Sequence, residues 1–338
     1  MARTRMEKII VFRPGALGDT LLAFPALAAL RRAFAGAWLC AVGNVPALEL
    51  AREAGLADAA LPFDDLRWVD LFSETGIRSE EVRQMLDGAR LAVLWLRDSE
   101  GLAARNLRAL GIAQVLSASG RPPEGARIHA ADYLLGTLAQ VLGGEAASAP
   151  AAMPTLEPSP AARAWAEEEW VRRGLEGAPA LLLHPGSGGR EKCWPPERFA
   201  ALAGRFIEAG WQVLVVEGPA DGSAATALLA ALPAERAQLV AGLALPQLAA
   251  LLAHACSGER ARLYVGNDSG VSHLSAWLGV PTLALFGPTD PAIWAPRGPR
   301  VRVVWAGAVT SAGLRLPPMT ALSVDAVYDA ALDVLRSG

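Results

Sequence analysis

LYVGNDSGVSHLSAWLGVPTLALFGPTDP, residues 263–291, is the stretch from which the rest of the chain can be read. Residues 262–265 are a short apolar run suited to a buried strand, and Gly266 with Asn267 turns the chain. Asp268, Ser269 and Gly270 then begin a helix whose apolar positions, Val271, Leu274 and Leu278, recur at helical spacing. Gly279 stops that helix, and residues 280–286 read as the next parallel strand. A turn of small residues feeding a helix start leaves backbone N–H groups unpaired at the positive end of the helix dipole. That makes an anion site, most often for phosphate. The plainer reading is that Asp268 or Ser269 only caps the helix. Two neighbours argue for more than a cap: His273 one turn in, and a second small-residue loop at Gly287, Pro288, Thr289 and Asp290.

The alternation continues on both sides. Residues 8–13 (KIIVFR) predict a first strand, 14–19 (PGALGD) a loop, and 20–34 an alanine- and leucine-rich helix containing Pro25. Further strands are expected at 38–42, 59–63, 91–96 and 112–116, among helices at 46–54, 78–87, 101–110 and 130–142. Residues 143–160 carry Ala, Pro and Gly without periodicity and read as an interdomain linker. Beyond it, helices at 161–173, 197–209, 223–231 and 246–256 alternate with strands at 180–184, 212–217 and 238–240. A last amphipathic helix, 324–336, follows an irregular 307–319. Such alternation predicts doubly wound parallel sheets of the α/β class. Two such halves joined once imply a cleft between them, with both sheets' carboxyl edges facing it. The expected domains are residues 1–150 and 151–320, with 321–338 as a C-terminal helix.

Composition removes several classes. The 338 residues carry a net charge of only −3, without the basic surplus of a nucleic-acid binder, and 52% hydrophobic residues suit two large cores. Three scattered cysteines, Cys40, Cys193 and Cys256, offer no CxxC spacing and point to a reduced compartment without a zinc site. The start, MARTRMEKII, lacks a signal-peptide core, and no run of 18 apolar residues occurs, so the expectation is a cytoplasmic chain or one lying on a membrane from the cytoplasmic side. Of 31 basic residues only Lys8 and Lys192 are lysine. In a chain that otherwise uses arginine, Lys192 marks a place for a compact ammonium rather than a planar fork.

Four loops fall at carboxyl edges of predicted strands: 14–19, 184–194, 218–222 and 266–270. The second, HPGSGGREKCW, has glycines and Ser187 to offer donors to an anion and Lys192 to offer charge; the alternative is a solvated loop, against which Trp194-Pro195-Pro196 argues. Asp19 is the natural general base, or else a helix cap; His273 and His184 are either functional or satisfied structural residues. Asp64-Asp65 and Glu167-Glu168-Glu169 read as solvated faces. Trp38, Trp95, Trp165, Trp211 and Trp277 read as core, whereas Trp68, Trp294 and Trp305 fall outside clear elements and are candidates to line a cleft. The 14–19 loop has GxxG rather than GxGxxG spacing, which disfavours a dinucleotide-binding dehydrogenase, and the Walker A pattern is absent. No DxD pair occurs, so no divalent-metal clamp on a diphosphate is expected.

Three segments together, RPGALGDTLLAFPAL, HPGSGGREKCWPPERFAALA and GNDSGVSHLSAWLGVPTLALFGPTDP, resemble glycosyltransferase family nine, the ADP-heptose:lipopolysaccharide heptosyltransferases of the GT-B fold. The resemblance implies two Rossmann-like domains and an inverting, metal-independent transfer of heptose from ADP-heptose, the donor substrate, with no cofactor. The acceptor it implies is a Kdo or heptose on lipid A, an anionic lipid-linked saccharide reached by peripheral contact with the inner membrane. It further implies Asp19, flanked by Gly18, as catalytic base and Lys192 as the group neutralising the leaving diphosphate. Ser187 and Gly188 match the phosphate loop; Asp268, Ser269 and Gly270, with His273, match the donor motif. Asp221 stands where the family often has a ribose-binding Glu, one methylene longer, and Glu217 is the residue that would compensate. Arg67, Arg97 and Arg121 are acceptor-side candidates by sign, and the final helix matches a segment that crosses back to the N-terminal domain. The alternatives are another nucleotide sugar or acceptor on the same fold, or a nucleotide-binding homologue without turnover; a sugar epimerase is disfavoured by the lysine loop and the late motif.

Overall fold

The computed structural model describes residues 7–144, 152–219, 221–254, 261–310 and 313–336. The middle of the expected linker, Ala220, Cys256 and the start of the chain lie outside the described residues. The chain divides into two compact units, Met1–Pro154 and Thr155–Gly338.

In the first unit, strands β1 (Lys8–Arg13), β2 (Trp38–Gly43), β3 (Ala59–Pro62), β4 (Ala89–Trp95) and β5 (Gln114–Ala118) pair in parallel in the order β3-β2-β1-β4-β5. Helices α1 (Leu17–Leu21), α2 (Phe24–Ala33), α3 (Val45–Glu53), α4 (Glu80–Leu86), α5 (Leu102–Ala109), α6 (Ala130–Gly136) and α7 (Ala139–Leu142) connect and cover them. Residues of both parities along β1, from Ile9 to Phe12, are at most 1% exposed. A parallel sheet covered on both faces produces such an unbroken apolar run.

The second unit holds β6 (Ala180–His184), β7 (Gln212–Val216), β8 (Ala237–Val240), β9 (Arg262–Asn267), β10 (Thr282–Phe286) and β11 (Val301–Trp305), parallel in the order β11-β10-β9-β6-β7-β8. Its helices are α8 (Pro160–Arg172), α9 (Pro196–Glu208), α10 (Gly222–Ala230), α11 (Leu245–His254), α12 (Gly270–Trp277), α13 (Pro291–Trp294) and α14 (Val324–Arg336), and a short hairpin joins β12 (Ala308–Thr310) to β13 (Gly313–Arg315). In each unit the chain lays three strands outward, then returns and lays the remainder on the other side. The order therefore reverses between β1 and β4, and again between β6 and β9. Loops leaving neighbouring strands in opposite directions open a crevice at the carboxyl ends there, the place where open α/β sheets bind ligands.

Three expectations are corrected. The helix expected over 20–34 is two helices, because Pro25, second in α2, has no N–H to give and its ring blocks continuation of the preceding turn. Trp68 does not line a cleft. It sits on a 3-10 helix, Leu66–Phe72, at 2% exposure, edge-on to Phe12 with ring centroids 5.1 Å apart, and its Nε1 donates to the Pro62 carbonyl at 2.8 Å. The final helix belongs to the second unit: Val327, Ala330, Ala331 and Val334 form one apolar stripe of α14, buried with Leu181, Val213, Leu263 and Leu283 of that unit's sheet. Its amphipathic spacing is satisfied there by the nearest apolar sheet face.

Trp68→Ala removes a filled core position and an aromatic edge contact, and should lower the unfolding free energy by about 3–5 kcal/mol, with Trp68→Phe costing less. Denaturant titration of the full chain, followed by far-ultraviolet circular dichroism, measures this.

Candidate functional site

The reversal between β6 and β9 brings the 184–194 loop against the start of α12. β9 ends at Asn267, and Ser269 caps α12, its Oγ accepting the Ser272 N–H at 3.4 Å. Between them Asp268, whose side chain is 9% exposed, accepts from Lys192 Nζ at 2.9 Å and from Thr289 Oγ at 3.0 Å through the same oxygen, Oδ2. Ser187 Oγ donates to the Asp268 carbonyl at 2.6 Å. The Gly270 and Val271 N–H groups in the first turn of α12 make no hydrogen bond among the described residues. Lys192 is 31% exposed and spends one of its three N–H groups on Asp268. The mouth of α12 thus combines unpaired backbone donors, the helix's positive end and an ammonium held in place, the composition of an anion site.

A second charged pair lies beneath the same loops. Asp221 is 8% exposed, accepts the Gly218 N–H at 3.1 Å and approaches His184 Nε2 at 3.6 Å. A side-chain carbon at Gly186 would fall 1.9–2.1 Å from the Asp221 carboxylate, so glycine there is the space the carboxylate occupies. The expectation that Asp221 holds a ribose is therefore corrected: its short stem folds inward, onto the Gly218 amide. Glu217, half-buried at the end of β7, makes no side-chain hydrogen bond or ion pair among the described residues. His184 Nδ1 donates to the Val216 carbonyl at 3.0 Å, and burial holds the imidazole pKa below its usual 6.5, opposed by that hydrogen bond and by Asp221. The ring is buried and engaged with the Val216 carbonyl and Asp221.

In the first unit, Asp19 is the third residue of α1. Its Oδ2 accepts the Ala16 N–H at 3.3 Å, and its Oδ1 accepts from Arg13 Nη2 at 3.3 Å. Arg13 is 5% exposed; burial draws its pKa down and Asp19 opposes that shift. Arg121, on the chain beyond β5, brings a second guanidinium to 3.9 Å from Asp19 Oδ2. Gly120 makes room, since a side-chain carbon there would lie 2.7 Å from Arg13 Nη1 and 2.8 Å from the Trp95 carbonyl. Beside this loop opens a cleft of about 460 Å³ lined by Gly15, Asn44, Pro46, Pro62, Phe63 and Asp64.

The residues singled out from sequence are placed as follows. Ser187, Lys192, Asp268, Ser269 and Gly270 gather at the mouth of α12, with Gly188 on the exposed part of the loop and His273 buried within the helix. Gly18 and Asp19 lie in α1, and Arg97 is exposed just beyond β4. Arg67, a candidate by sign, is paired with Asp65 and with Glu81, each at 2.8 Å. Trp305 Nε1 donates to the Gly287 carbonyl at 3.3 Å and steadies that loop. Thr289, Arg13 and Asn267 were not singled out. Thr289 stood in a loop already marked, and Arg13 carried only the signal of an arginine ending an apolar strand. Among the described residues no three His, Cys, Asp or Glu side chains gather closely enough to hold a metal ion.

A family model described as glycosyltransferase family 9 (heptosyltransferase) matches residues 138–315. Lipopolysaccharide heptosyltransferase 1 of Pseudomonas aeruginosa is 38% identical over 122 residues, 36% of this chain and 32% of that protein. Lipopolysaccharide heptosyltransferase 2 of Salmonella typhimurium is 34% identical over 130 residues, 37% of this chain and 36% of that one. The chain thus spans about a third of the length of these curated relatives. The solved ADP-heptose lipopolysaccharide heptosyltransferase II of Escherichia coli superposes with a TM-score of 0.76 over 98% of this chain and 99% of its own, at 22% identity, a likeness of fold.

His184 gives the site a pH signature. Its unfolded ring titrates near 6.5 and its folded ring lower, so the stability of the neutral buried form is complete above 6.5 and is lost as the pH falls below it. The melting temperature should drop as the pH is lowered through that range. In His184→Asn, which keeps a donor for the Val216 carbonyl, the drop should be shallower, as scanning calorimetry across pH would read.

Proposed function

The chain belongs to glycosyltransferase family 9, and from that premise we propose that it is an inverting transferase moving heptose from ADP-heptose to a lipopolysaccharide inner-core acceptor, a Kdo or heptose carried on lipid A. The observation that carries the reading is the Lys192 ammonium held on Asp268 at the mouth of α12, beside the unpaired Gly270 and Val271 amides. A nucleoside diphosphate is the anion this arrangement suits: the two phosphates take the helix amides, the Ser187 loop and the free ammonium hydrogens. Glu217 is assigned the ribose hydroxyls that Asp221, turned inward, does not reach.

In the proposed reaction the acceptor hydroxyl gives its proton to Asp19 as its oxygen bonds to the anomeric carbon from the face opposite the diphosphate. The bond from that carbon to the diphosphate oxygen breaks, and the electron pair leaves with ADP. Lys192 and the amides of α12 stabilise the charge gathering on the departing oxygen, so no metal is required. Arg13 fixes the orientation of Asp19 through Oδ1, and Oδ2 is the oxygen that takes the proton once the Ala16 amide yields. Arg121 and Arg97 supply positive charge for an anionic acceptor. The proposal sets the reaction in the cytoplasm, at the inner face of the membrane that carries the acceptor. Among the described residues no helix is long and apolar enough to cross a membrane. The inward turn of Asp221 favours one second reading, a different nucleotide sugar on the same scaffold.

The test is ADP release by the full chain with ADP-heptose and heptose-deficient core lipid, run beside a panel of other nucleotide sugars. Release only with another donor would replace the first reading by the second, and ADP binding without release would leave a non-catalytic nucleotide binder. Asp19→Asn should cut turnover by a factor on the order of 10²–10⁴ while ADP affinity by calorimetry stays within a few-fold. Lys192→Met should weaken both, and Lys192→Arg should restore only part of the turnover, because a planar fork cannot take the ammonium's place against Asp268 without displacing Thr289.

A further inference from the structure

Asn267 ends β9 fully buried, and its carboxamide reaches both ends of the loop that carries Lys192. Its Oδ1 accepts the Trp194 N–H at 3.0 Å, while its Nδ2 donates to the Pro185 carbonyl at 2.8 Å and the Gly186 carbonyl at 3.3 Å. The orientation of the amide is dictated by these partners, one N–H and two carbonyls, and no other side chain of this size meets all three. An aspartate would set a carboxylate against two carbonyl oxygens; a leucine would leave all three groups unpaired in a buried place.

The position of this clamp matters more than its strength. Ser187 follows one clamped end directly, and Lys192 stands two residues before the other. Both bind Asp268, the residue next to Asn267, at 2.6 and 2.9 Å. Two adjacent residues therefore hold one loop twice, Asn267 at its neck and Asp268 along its arms. The loop itself has little regular structure to fix it, being three glycines and a single short 3-10 turn, Arg190–Lys192. With its neck open, the lysine stem would sample positions away from the helix mouth, and the entropy of bringing it back would fall on the ligand.

We propose that Asn267 is a positioning residue for Lys192: by closing the neck of the 185–194 loop it fixes where the ammonium meets the donor diphosphate. The inference rests on the assignment of Lys192 to the donor diphosphate. Its structural half, the clamp, stands apart from that assignment.

The experiment uses the full chain and the variants Asn267→Asp, Asn267→Ser and Lys192→Met, with each Asn267 change also combined with Lys192→Met. Asn267→Ser, small and able to keep one of the three bonds, serves where Asn267→Asp does not fold by circular dichroism. Hydrogen–deuterium exchange of peptides covering 185–194 should accelerate at least about tenfold in the folded Asn267 variant, because the Pro185 and Gly186 carbonyls lose the donor that closes the neck of the loop. The KM for ADP-heptose should rise about tenfold or more with the acceptor KM unchanged. In the presence of Lys192→Met the same Asn267 change should cost nothing further, since the residue acts through that lysine. A loop that exchanges faster with an unaltered donor KM, or a double variant whose losses add in full, overturns the proposal. Unchanged exchange overturns the clamp itself. A wild-type chain that neither binds ADP nor turns over any nucleotide sugar defeats the transferase reading, and the exchange result then still reports on the clamp.

Discussion

The parallel pairing of β6 with β9 is the constraint on which the site depends. Five residues of each run side by side, from Ala180 against Arg262 to His184 against Gly266. The strands between them in sequence, β7 and β8, lie on the far side of β6, so the chain must cross back to add β9. The loop after β6 and the loop after β9 therefore leave the same sheet edge in opposite directions, with nothing inserted between them. All that distinguishes this edge chemically follows from that placement. Ser187 and Lys192 come from one loop and Asp268 from the other, and no local sequence feature alone would bring them within 3 Å. The first unit repeats the geometry at β1 and β4, where the α1 loop carries Asp19.

Charge at such an edge has to be balanced before a ligand arrives. Asp268 is nearly buried beside a helix start, where the dipole favours a carboxylate, and Lys192 with Thr289 completes its coordination. A carboxylate in that position keeps the ammonium at a fixed distance from the helix amides. The ammonium and the helix amides are thereby oriented in advance, the preorganisation that an anion site needs. His184 and Asp221 are a contrasting case. They are also buried and close, but at 3.6 Å and with the imidazole proton committed to the Val216 carbonyl they support the loops rather than offer charge.

Much of this was legible in the sequence, for identifiable reasons. Strand and helix alternation is a strong signal when strands are uniformly apolar, and the small-residue loops at 184–194 and 266–270 stand out because nothing periodic runs through them. Lys192 was visible through its rarity. What escaped reading depends on tertiary packing. Trp68 looked like a loop tryptophan because a 3-10 helix has no 3.6-residue pattern, and only the Phe12 ring and the Pro62 carbonyl reveal it as core. Arg67 had the right sign for an acceptor contact, but Asp65 and Glu81 are recruited to it by the same helix and by α4. The inward fold of Asp221 is set by the empty space at Gly186, a contact between loops far apart in sequence. Pro25 was in plain view, and its consequence, a break between α1 and α2, is a local rule that a run of alanines and leucines masked.

The charged cluster of the first unit follows a different logic from that of the second. Asp19 does two structural tasks, turning back to the Ala16 amide and pairing with a buried arginine whose Nε finds no hydrogen-bond partner among the described residues. A carboxylate tied this way cannot wander, and Arg13 in turn cannot leave, because burial without Asp19 would strand its charge. The two groups hold each other, and Gly120 is the concession that lets the chain pass above them. Oδ1 faces Arg13 and Oδ2 faces the Ala16 amide, and Arg121 stands 3.9 Å from Oδ2 with 70% of its side chain exposed. The carboxylate thus lies between two guanidiniums, one buried against Oδ1 and one exposed beside Oδ2, and the buried one fixes its orientation.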